Sequence, residues 1–204
     1  MAGHSNVAGY ELIGKPDGTR LAVYNALIAA GLPFNFTGSL NPPASTVPDN
    51  DCSAVAGHRI WQQRAQVEAD LAAYPVDVVC WLCGANDFGI EGIVAADLVA
   101  DIEDMILDAA VLYPSLRWVL CTETFQTTAN ADPVRLSFNT QLRTMVATRA
   151  AQGYRVIISE TAAIVDDVSD LFDNVHFTDA KYIEVGNAQA ASILVVNATF
   201  PGDA

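Results

Sequence analysis

Three stretches of the chain are apolar without alternation: "VDVVCWLC" (residues 76–83), "RWVLCTE" (117–123) and "RVIISE" (155–160). A strand with one face in water alternates apolar and polar side chains. A run of Val, Ile, Leu and Cys that does not alternate needs cover on both faces. Parallel strands meet that need, because their crossover connections lay helices on each side of the sheet. Helical patterns do separate the runs. "TRLAVYNALIAAG" ends on Gly31, a C′ glycine. "RIWQQRAQVEADLAAY" spaces Ile60, Val67 and Leu71 along one face and stops at Pro75. "ADLVADIEDMILDAAVLY" and "VRLSFNTQLRTMVATRAAQG" behave alike, and a last helix is expected over about 180–198. A fourth strand is read at "PFNFTG" (33–38), and "NPPASTVPDNDCS" (41–53) reads as a loop. The fold class predicted is a three-layer α/β/α sandwich with a mainly parallel sheet.

A length of 204 residues fits one domain over 1–204. With 51% hydrophobic and 17% charged residues the chain is globular rather than disordered. Its net charge of -14, with ten basic residues, repels phosphate backbones and anionic membranes, so nucleic acid is not an expected partner. No apolar run approaches the roughly 20 residues of a membrane span. No basic segment followed by an apolar one marks a signal peptide, so a soluble chain is expected, whether cytoplasmic or a mature secreted form. Four cysteines are present, and the C-x-x-C of Cys80 and Cys83 lies inside an apolar run, which favours buried thiols over a metal or redox site.

In an open sheet of this kind, ligands bind beyond the carboxyl ends of the strands. Three polar segments belong there. "LCGANDFGIEG" (82–92) puts Asn86 and Asp87 directly after a strand, where they either turn the chain or aim chemistry out of the sheet. "AGHRI" (56–60) precedes a helix, and "DNVHFTD" (173–179) follows the last strand. Asp173 stands three residues before His176. In one tight turn its carboxylate can hold Nδ1–H and leave Nε2 as a base; alternatively it caps a helix beside a solvated histidine. "AGHSNVAG" (2–9) offers Ser5, as a nucleophile or as a loop serine. No G-x-S-x-G elbow exists, which argues against the α/β-hydrolase arrangement.

Together and in this order, "GHSNVAG", "AVAGHRI", "GAND" and "DNVHFTDAKY" resemble the blocks of the SGNH (GDSL-type) hydrolase family, over nearly the whole chain. The resemblance implies a flavodoxin-like sheet and a serine carboxylester hydrolase without metal or organic cofactor. It implies Ser5 as nucleophile, His176 as base and Asp173 as the residue orienting it. The backbone N–H groups of Ser5 and Gly57, with the Asn86 amide, would form the oxyanion hole. Asp87 would brace its loop. "AVAGHRI" within a long loop looks most like the carbohydrate acetylesterases, so the implied substrate is a small ester or an acylated carbohydrate. The alternative is a non-catalytic binding or structural protein that keeps the fold. The chain departs from the family in two places. His4 stands where the family has Asp, and is expected to fill space rather than act as a second base. Only Met1 and Ala2 precede Gly3, so the central first strand is expected to be missing or truncated. The segments 33–38 and 76–83 would then flank a vacant position. Closure of the sheet, a strand swap or a homo-oligomer would have to fill it.

Overall fold

The computed structural model describes residues 1–9, 14–42, 44–127 and 131–201. Five strands form one parallel sheet: β1 (Ala2–Gly3), β2 (Ser53–Ala54), β3 (Val78–Leu82), β4 (Arg117–Cys121) and β5 (Val156–Ser159). Their spatial order is β2-β1-β3-β4-β5. Every pairing is parallel, and chain order reverses between β1 and β3. Among the described residues, six α-helices surround the sheet: α1 (Ser5–Ala8), α2 (Arg20–Ala29), α3 (Ile60–Ala73), α4 (Ala95–Leu112), α5 (Ala131–Ala151) and α6 (Asp179–Thr199).

The unalternating strands divide their side chains between two cores. Val79, Trp81, Trp118 and Leu120 pack with Val67 of α3, Ile102 of α4 and Phe138 of α5. Cys80, Leu82, Val119 and Cys121 point the other way, onto Val23 and Leu27 of α2 and Ala190 and Ile193 of α6. Both faces are therefore apolar, as the sequence required. The α2 and α6 helices approach closely at Gly186, where a Cβ would stand 2.5 Å from Ala22 Cβ and 2.7 Å from the Thr19 carbonyl. All four cysteines are buried and free.

The edge of the sheet corrects two expectations. Residues 33–38 are not a strand. Phe34 and Phe36 bury their rings against Tyr24 of α2, with centroids 5.3 and 6.2 Å away. The Phe36 N–H donates 2.5 Å to the Asp49 carboxylate instead of to a neighbouring strand. The edge strand is β2, at the close of the stretch read as a loop. Nor is the central position vacant. β1 fills its carboxyl end, aligning Ala2 with Trp81 and Gly3 with Leu82, and Ala2 with Ser53 on the other side. The central strand is present, with two residues. Beyond it, at the amino end of the sheet, lies a cavity of about 510 Å³ whose walls include Phe34, Phe36, Val78 and Cys80. Among the described residues no helix is long and apolar enough to cross a membrane.

Candidate active site

β1 ends at the point where strand order reverses, and the chain turns there into α1. Gly3 permits the turn: its φ is +151°, and a Cβ would collide with the Leu82 carbonyl and lie 2.8 Å from Val7 Cγ2. Ser5 opens the helix. The His4 ring caps it, Nδ1 accepting from the Asn6 N–H at 3.4 Å. The far end is held by Arg20, fully buried, whose guanidinium donates to the carbonyls of Val7 (3.1 Å) and Ala8 (2.9 Å) and to Asn50 Oδ1 (2.6 Å). Those neutral oxygens, rather than a carboxylate, hold the buried cation by hydrogen bonds among the described residues.

The second component is a tight turn after β5. Asp173 Oδ1 accepts from the backbone N–H of Val175 (2.8 Å) and of His176 (2.7 Å), and Phe172 N–H donates to the His176 carbonyl at 2.7 Å. Leu171 pairs with Phe177 across the turn, and buried Phe177 anchors it on Val165, Tyr182 and Val185. The other carboxylate oxygen, Asp173 Oδ2, accepts from His176 Nδ1 at 2.8 Å. Partial burial pushes the Asp173 carboxyl up, but the bonds from His176 and Val175 outweigh it and hold the pKa below its ordinary value.

These two components meet. His176 Nε2 lies 2.9 Å from Ser5 Oγ, so a ring protonated on Nδ1 accepts the serine proton. Their contact is braced by Asn6, whose amide donates to the Val175 carbonyl at 3.2 Å while its Oδ1 accepts from Tyr182 of α6 at 2.9 Å. Nothing in the sequence pattern singles out Asn6 or Tyr182, although both stand within the quoted motifs.

The 57–60 loop and the turn after β3 form the third side. The Asn86 amide donates to the His58 carbonyl (2.9 Å), one residue from Gly57. The same carbonyl accepts from Gln63, which in turn accepts from the buried Trp81 indole. Asp87 Oδ2 accepts from the Ile60 N–H at 3.0 Å, so it braces the neighbouring loop rather than its own. Burial raises the Asp87 pKa from 3.8 to about 6. Val55 N–H bonds the Gly3 carbonyl at 3.0 Å, which sets this loop beside the Ser5 turn. The structure thus joins Ser5, His176 and Asp173 by direct contacts, and sets Gly57 and Asn86 on adjoining loops.

The expectation that His4 merely fills space is corrected. Besides capping α1, its Nε2 stands 3.1 Å from Glu123 Oε2, with both side chains buried. The large cavity lies at the opposite end of the sheet, and neither Ser5 nor His176 lines it. Volume alone would favour that cavity, but the serine hydrogen-bonded to a histidine is elsewhere. Among the described residues no group of three or more His, Cys, Asp or Glu could hold a metal ion.

No protein-family model matches the chain, and no curated protein matches its sequence. Solved structures do resemble it. A family 3 carbohydrate esterase of Clostridium thermocellum superposes with a TM-score of 0.81 at 22% identity, covering 98% of this chain and 96% of that one. A carbohydrate esterase family 3 protein from Talaromyces cellulolyticus gives 0.78 at 18% identity, covering 88% and 91%. A lipolytic protein of the G-D-S-L family from Veillonella parvula gives 0.65 at 15% identity, covering 95% of each chain. The fold of this chain is that of the SGNH hydrolases.

Proposed function

We propose that the protein is a serine carboxylester hydrolase acting on small esters, acetylated carbohydrates first among them. The observation that carries this reading is the hydrogen-bonded line from Ser5 Oγ through His176 to Asp173. The carbohydrate side is supported by the likeness to two family 3 carbohydrate esterases.

Ser5 Oγ attacks the ester carbonyl carbon as its proton passes to His176 Nε2. Asp173 keeps the imidazole in the Nδ1–H tautomer and offsets the positive charge that forms on it. The carbonyl oxygen becomes an oxyanion, met by the backbone N–H groups of Ser5 and Gly57 and by the second amide hydrogen of Asn86. Collapse of the tetrahedral intermediate breaks the bond to the alcohol, which leaves with the proton from His176. Water then enters and gives a proton to the same nitrogen as its oxygen attacks the acyl carbon; the bond to Ser5 Oγ breaks, Oγ takes that proton back from His176, and the acid leaves.

A fluorophosphonate should give a single adduct on Ser5, located by mass spectrometry. Ser5→Ala should abolish hydrolysis of p-nitrophenyl acetate and of peracetylated sugars, with the far-UV spectrum unchanged. An adduct on another serine would overturn the assignment.

A further inference from the structure

His4 caps the Ser5 turn only in one protonation state of its ring. An aspartate or asparagine at an N-cap always offers an oxygen to the backbone N–H. An imidazole offers Nδ1 only while that nitrogen carries no proton. Placing the proton on Nδ1, or charging the ring, would aim one N–H at another and open the cap. His4 is fully buried, so no bulk water decides which nitrogen is protonated. Its Nε2 faces Glu123 Oε2 at 3.1 Å.

Glu123 is built as an acceptor. Oε1 accepts from the Thr124 N–H (3.0 Å) and from Thr124 Oγ (3.2 Å), which leaves Oε2 for His4. The main chain of Glu123 is clamped by Asn139 of α5, which accepts from its N–H and donates to its carbonyl, both at 2.7 Å. Glu123, Thr124 and Asn139 are buried like His4, so the carboxylate is fixed in place. Buried Arg135 of α5 also donates to the Glu123 carbonyl, at 3.4 Å, and Asp87 and Cys83, nearby and likewise buried, make no bond to the pair among the described contacts.

We propose that Glu123 is a positioning residue for Ser5: by accepting from His4 Nε2–H it fixes the tautomer whose Nδ1 caps the Ser5 turn. The inference rests on Ser5 being the nucleophile. It makes the carboxyl end of β4 and helix α5 part of the apparatus that aims Ser5 Oγ, though neither touches substrate.

The isosteric change Glu123→Gln separates this role from packing. A glutamine cannot serve both sides. With its oxygen toward His4, its NH2 meets the Thr124 N–H. With its oxygen toward Thr124, its NH2 demands an unprotonated Nε2 and drives the His4 proton to Nδ1. The 15N resonances of His4 in the wild-type protein should report a protonated Nε2 and a bare Nδ1, and in Glu123→Gln a shift of the proton toward Nδ1. The rate of fluorophosphonate labelling and kcat for p-nitrophenyl acetate should fall about tenfold, with KM within about twofold, because a displaced nucleophile costs rate rather than binding. In a His4→Asn background, where the cap no longer depends on a proton, Glu123→Gln should cost less than about twofold. Equal losses in both backgrounds, or an Nδ1-protonated His4 in the wild type, would overturn the proposal. The wild-type spectrum decides even where Glu123→Gln does not fold. If the wild-type protein takes no label on Ser5, the esterase reading fails, and the His4 spectra still test the tautomer.

Discussion

Asn86 donates one amide hydrogen to the His58 carbonyl and keeps the other. Gln63 donates to that same carbonyl, so Asn86→Ala leaves the 57–60 loop with a tether. The substitution should therefore lower kcat by about 100-fold with little change in KM, as loss of a donor to the developing oxyanion does. A change confined to KM would mean that Asn86 only binds substrate. Beside it, Asp87 carries a raised pKa, and the sign of its effect follows. A carboxyl with a native pKa of about 6, against 3.8 ordinarily, favours the protonated native state. Above pH 6 its ionised form is buried at a cost to stability; the penalty relaxes as pH falls and is gone below about 3.8. Asp87→Asn should thus gain stability relative to the wild type between pH 4 and 7, by up to about 3 kcal/mol, in denaturant titrations at a series of pH values. A difference that stays flat with pH would refute the assignment. At this scale the sequence is readable where a residue's role follows from its neighbours in the chain, as with Asp173 and His176. It is opaque for His4, whose partner lies 119 residues away. One signal exists: Glu123 is a polar residue at the carboxyl end of an apolar strand.

Elements are legible in proportion to how much of their stability is written locally. β3, β4, β5 and the helices beside them bury long apolar stretches, and the pattern places each to within a few residues. β2 escapes it, because two residues joined to β1 leave no pattern. Residues 33–38 mislead for the opposite reason: their aromatic rings bury against α2 while their backbone bonds elsewhere. α1 is also invisible to pattern reading, since four residues are too few to form a helix alone. Its carbonyl end depends on Arg20. Lysine cannot reproduce the fork that meets the Val7, Ala8 and Asn50 oxygens, so Arg20→Lys should destabilise the protein by about 2–4 kcal/mol in equilibrium unfolding. Esterase activity should be lost at lower denaturant than global structure, because the Ser5 turn is the part that Arg20 holds. Coincident loss of the two would place the effect in the whole core.

Across the whole molecule, the order of the four motifs points to this fold, while the short first strand argues against a working site. In the structure Ala2 and Gly3 pair on both sides at the sheet's carboxyl end, and Ser5 stands against His176. Ser5 and His176 are 171 residues apart in sequence. The braces between them come from the chain's two ends as well, Asn6 reaching Val175 and Tyr182 of α6. Contacts of such sequence separation close late, after the loops between them have been ordered. On refolding from denaturant, far-UV helical signal should return before turnover of p-nitrophenyl acetate, and simultaneous recovery would contradict this order. The same holds as the chain leaves the ribosome. Ser5 is made 171 residues before His176, so on the proposed esterase reading a growing chain that stops short of His176 should show no hydrolytic activity.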